Sequence, residues 1–71
     1  MMSNWTKITE SLPTKYGQYL TARIVNTING ERIIYSVLIF DPNRKLFFYD
    51  LKTIYSEPSV IAWQDIIEIN I

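Results

Sequence analysis

The 71-residue chain contains neither cysteine nor histidine. The first absence excludes disulfides and thiolate metal sites. The second removes imidazole, the usual zinc and haem ligand and the commonest general base. Glycine and proline are scarce, at two and three residues, and no linker, repeat or low-complexity stretch interrupts the sequence. One domain spanning residues 1–71 is therefore expected. Charge of one sign is lacking too, since seven basic residues balance seven acidic ones. A nucleic-acid binder normally shows a basic excess, because phosphate neutralisation dominates its affinity, and a mimic of DNA would show the reverse. The start lacks the basic-then-apolar order of a signal peptide. The longest mostly apolar run, Ile33 to Phe40, is too short to cross a bilayer as a helix. A cytoplasmic protein without membrane, metal or cofactor is the expectation.

What remains is apolar and aromatic: 48% of the residues are hydrophobic and 14% aromatic. A domain this small buries only about 60% of the surface its unfolded chain exposes. Without disulfides or a metal, it must rely on dense packing or on a partner chain. Near-zero net charge also removes a common guard against self-association.

Asn29-Gly30 is the clearest local signal, a dipeptide suited to a type I′ hairpin turn. Gln18 to Ile28 and Glu31 to Phe40 flank it, both rich in β-branched and aromatic residues. Pairing Ile28 with Glu31 places Leu20, Ala22 and Ile24 opposite Ile39, Val37 and Tyr35. These six share one side of the sheet and form the expected core face. The reverse side carries Tyr19, Thr21, Arg23, Val25 and Thr27 opposite Phe40, Leu38, Ser36, Ile34 and Arg32. It is less polar than a solvated face should be.

Asp41-Pro42-Asn43-Arg44 reads as a second turn and Lys45 to Asp50 as a third strand. After the break at Glu57-Pro58-Ser59, Val60 to Trp63 reads as a fourth, and Ile66 to Ile69 either adds a fifth or frays. Leu12-Pro13 should be extended, within a structured loop that pins Trp5 and Leu12 onto the sheet. The expected fold is all-β: a small antiparallel meander of four to five strands, with the option of curling into an SH3-like barrel.

Trp5, Ile8, Glu10, Leu12-Pro13, Gly17 and Tyr19-Leu20 form the most patterned stretch, and Val60, Ile61 and Trp63 stand near the end. This arrangement resembles a phage and prophage domain family of unknown function, whose members open and close on such motifs. The chain departs from the family in having Ala62 before Trp63, where a histidine is frequent, and no proline shortly after. The resemblance implies a setting among mobile genetic elements, in the cytoplasm of a bacterial host, and no activity.

Four groups of residues are candidate sites. Trp5 and Trp63 would make an aromatic platform, although a domain this small needs both for packing. Arg44, Lys45, Phe47, Tyr49 and Lys52 interleave charge and rings as a single-strand binding surface does, but Asp41 and Asp50 flank them and alternation turns half of the rings inward. Asp65 with Glu68, or Asp41 with Asp50, would supply carboxylates, yet no spacing among them defines a catalytic or metal arrangement. Leu38, Phe40, Phe47 and Tyr49 fall together on the reverse face if the second turn has four residues. They would form a protein-binding patch unless the segment from Val60 onward covers them.

The expected function is that of a non-enzymatic accessory protein that binds another protein, either a component of a host system that it modulates or inhibits, or itself as a homodimer. The alternative is a single-stranded nucleic-acid binding module.

Overall fold

The computed structural model describes residues 4–50, 52 and 55–66. Its elements are all strands: β1 (Thr6–Lys7), β2 (Gly17–Thr27), β3 (Gly30–Asp41), β4 (Leu46–Phe48) and β5 (Val60–Asp65). They form one antiparallel sheet in the order β1-β5-β2-β3-β4, curled into a half-barrel. β2, β3 and β4 follow one another as a meander, and β5 returns to lie between β1 and β2. Glu68 and the segment Ile67–Ile69 lie outside the described residues.

The β2–β3 hairpin dominates the fold. Thr27 pairs with Gly30, so the register differs by two residues from pairing Ile28 with Glu31. The reason lies in the turn. Gly30 has φ 107° and, among the described residues, Lys45 at 59° is the one non-glycine residue with positive φ. Ile28 and Asn29 therefore span a two-residue loop without left-handed angles, and the positive angle falls on Gly30, the first residue of β3. Thr27 Oγ1 accepts from Asn29 N–H at 3.2 Å and donates to Gly30 O at 2.7 Å. A Cβ at Gly30 would meet open space, so a Gly30→Ala change costs backbone strain alone, about 1 kcal/mol. Chemical denaturation should read that loss without a change in slope.

A slip of two residues preserves side-chain parity. The two faces thus hold the residues expected of them, but their roles are exchanged. The concave side carries the core: Tyr19, Leu38, Phe40, Phe47 and Val60, with Ile8, Leu12 and Trp63 packed against it. Leu38 and Phe40 are almost fully covered, and so is Thr21, whose hydroxyl donates to Ser36 O at 2.7 Å. Tyr19 makes edge contacts with the rings of Trp63 and Phe40. Burial, then the charge of Asp65, raises its phenol pKa, opposed by the bond to Lys15 O. The phenol donates that bond at 2.9 Å.

The sides were decided by chain segments distant in sequence. β5 packs Val60 and Trp63 under β2. β1 pairs with β5, Thr6 opposite Trp63, in a region expected to be a loop. The turn that follows is held by Glu10 and Ser11 N–H donating to Lys7 O. It delivers Leu12 to the core as expected. A bulge between Ala22 and Arg23 in the β2–β5 pairing bends the sheet around this core.

Candidate protein-binding face

The outward side of β2 and β3 keeps a contiguous run of exposed apolar side chains. Leu20 pairs with Val37, Ala22 with Tyr35 and Ile24 with Ile33, so these side chains form a cross-strand ladder on one face. Tyr35 is 63% exposed, Val37 52% and Ile33 46%, while Leu20, Ile24 and Ile39 are half-buried. β5 supports β2 no further than Ile24, whose N–H donates to Ser59 O. Beyond that point the hairpin projects as a two-stranded arm of about 13 Å at the usual rise per residue. Fully exposed Ile28 stands at its tip.

Trp5 lies on the same outward side, its ring 5.7 Å from that of Tyr35. Lys7, Ala62, Ala22 and Tyr35 occupy one row across the sheet, so an indole that reaches Tyr35 from β1 must cross the two alanines. Their small side chains make room for it, which explains why Ala22 and Ala62 are buried beside the exposed Tyr35. A groove of about 530 Å³ opens beside Trp5 between Glu10 and Ile61.

The sequence-derived sites are distributed differently from expectation. Trp63 lies on the concave side and donates from Nε1 to Ser11 O at 2.9 Å. It therefore shares no platform with Trp5. Leu38, Phe40 and Phe47 do come together on the reverse face, Phe40 pairing with Phe47, but Val60 covers them as core. The expected exposed patch is corrected accordingly; only Tyr49 of that set is exposed, at 52%. The second turn has four residues, Pro42 to Lys45, closed by Asp41 opposite Leu46.

The basic strand is likewise partitioned. Phe47 and Phe48 are both buried, which leaves neither ring open for base stacking. Arg44 lies 5.4 Å from the Phe48 ring centroid and 3.6 Å from Asp41 Oδ2. Lys45 occupies the turn, and Lys52 is exposed. Asp41 accepts from Asn43 N–H and Asp50 from Lys52 N–H, both as turn formers. Among the described residues, no three acidic side chains converge as metal ligands.

One cluster gave no sequence signal. Arg23 on β2 reaches Glu57 Oε1 with Nη1 at 2.6 Å, the two side chains being 13% and 16% exposed. Arg23 Nε donates to Ser36 Oγ, and Ser59 Oγ donates to the same Glu57 oxygen. The guanidinium also lies 5.7 Å from the Tyr49 ring centroid. Burial raises the Glu57 pKa, but hydrogen bonds from Ser59 and Arg23, the Arg23 charge and a bond from Tyr49 outweigh it and leave the carboxyl below its ordinary value. With Glu57 N–H donating to Phe47 O and Ser56 bridging Phe48, the pair ties the segment before β5 to the hairpin. Its chemistry is that of a clamp.

Comparison with known proteins returned no match to a family model, a curated protein or a solved structure.

Proposed function

We propose that this chain is a non-enzymatic protein-binding module that engages its partner with the outward face of β2 and β3. The exposed ladder of Ile33, Tyr35 and Val37 beside Leu20 and Ile24 carries this reading. Contiguous apolar surface on a small domain marks an interaction site when no internal segment covers it. Rigid aromatic and branched side chains suit such a site, because fixing them costs little conformational entropy. The phage resemblance supplies the setting, an accessory protein that modulates or inhibits a host system. A neutral chain would do so by shape and apolar contact.

The triple variant Ile33→Thr, Tyr35→Thr and Val37→Thr tests the reading. Threonine preserves strand preference while making the ladder polar. Capture from a bacterial lysate should identify a protein retained by the wild-type chain and lost, by tenfold or more in affinity, with a correctly folded variant. A partner held equally by both would place the site elsewhere.

A further inference from the structure

A separate observation concerns the backbone edge of β3. β4 pairs with β3 only from Ile39 to Asp41, and β2 occupies the opposite edge along the whole strand. From Glu31 to Val37, β3 therefore has no strand on its second edge among the described residues. The two-residue loop makes Thr27 and Gly30 a hydrogen-bonding pair, and such pairs alternate along an antiparallel ladder. Even-numbered residues of β3 thus bond to β2, while Glu31, Ile33, Tyr35 and Val37 direct N–H and C=O groups to the open edge. Two bonds agree with this parity. Ser36 O receives the Thr21 hydroxyl from the β2 side, and Asp41 O receives Lys45 N–H from the β4 side.

Exposed edges are usually guarded by lysine, proline, an inward charge or a bulge. None stands between Ile33 and Val37. We propose that two copies of this chain join through this edge, β3 antiparallel to β3 about a twofold axis at Ile34. The open stretch from Glu31 to Val37 is centred on Ile34, so this register uses all of its free groups, about eight hydrogen bonds.

Side chains agree with the same register. Ile34 meets Ile34, Ile33 meets Tyr35, Arg32 meets Ser36 and Glu31 meets Val37. No like charges face each other. Shifting the axis to Arg32 would oppose two guanidinium groups, and shifting it to Tyr35 would drive Glu31 against Ile39, whose edge β4 already holds. Axes between residues fail because they would match bonding with non-bonding positions. The pairing makes one continuous sheet and sets the two outward ladders side by side. It rests on the backbone edge alone and stands or falls independently of the partner-binding reading.

Light scattering of the full chain over a concentration series should give twice the monomer mass. Ile34→Cys then tests the register in a chain with no other thiol. Across the axis, the two Cα atoms at this non-hydrogen-bonded position would lie about 4.5 Å apart, within disulfide range. Mild oxidation should convert most of the Ile34→Cys protein to a covalent dimer. Arg32→Cys places its thiols about 13 Å apart and should remain uncrosslinked. Circular dichroism establishes that both variants retain the fold. A monomer at all concentrations, equal crosslinking of the two variants, or no crosslinking at position 34 would each overturn the proposal.

Discussion

Leu38→Ala is expected to remove about 3 kcal/mol of stability, within the usual range for a buried leucine. Leu38 has no solvent exposure and lies within the cluster formed by Tyr19, Phe40, Phe47 and Val60. Truncation leaves a cavity whose walls cannot close, because strands on both sides fix them: Tyr19 is held in β2 between β3 and β5, and Phe40 is locked opposite Phe47. A chain of 71 residues has a total stability of about 4–11 kcal/mol, so this loss is a large fraction of the whole. Thermal unfolding should move down by about 15 °C. The neighbouring change Val37→Lys should cost no more than about 0.5 kcal/mol, because that side chain is 52% exposed on the outward face.

Acidification should weaken the fold through Glu57. A carboxyl whose folded pKa lies below its unfolded value, about 4.3, stabilises the native state fully above that unfolded value. The contribution disappears as pH falls through the lower, folded pKa. Glu57 has such a depressed value, so the loss falls on the acid side of about pH 4.3. Glu57→Ala should cost about 2 kcal/mol at neutral pH, less than a fully buried pair because both side chains retain some water. It leaves the Arg23 guanidinium, 13% exposed, without its carboxylate. The variant should also lose part of the wild-type acid dependence. Replacing both residues with methionine should be close to neutral, since no unpaired charge then remains. Urea unfolding at pH 7 and below pH 4 reads all three effects. Equal acid sensitivity in wild type and Glu57→Ala would remove the clamp from the account.

The strands were legible where local chemistry determines them. β-branched and aromatic residues on either side of Asn29-Gly30 defined the hairpin, and side-chain parity correctly sorted its residues into two sets. Which set faces inward was not legible, because Leu20, Ile24 and Val37 are as apolar as Tyr19, Leu38 and Phe40. The choice is made by Val60, Trp63 and Leu12, which arrive from distant parts of the chain and have no sequence mark that says which side they cover. The turn type was misjudged for a local reason: Asn29-Gly30 supports either two positive φ angles or one, and Gly30 alone adopts it. The short pairing of Thr6 and Lys7 with β5 left too little periodicity to read. The Arg23–Glu57 clamp joins residues 34 apart, beyond the reach of any spacing argument. The candidate face inherits these limits. Apart from Ile33, its residues were identified as a set, but as core rather than as surface.

Side-by-side thermal unfolding of Val37→Lys and Leu38→Ala tests the central claim most directly, because the two positions are adjacent and face opposite ways. The account predicts that Val37→Lys melts within about 4 °C of the wild type while Leu38→Ala falls by about 15 °C. The opposite ranking, with the charge at position 37 unfolding the domain and position 38 tolerant, would mean that the core lies on the outward ladder and that the proposed binding face does not exist.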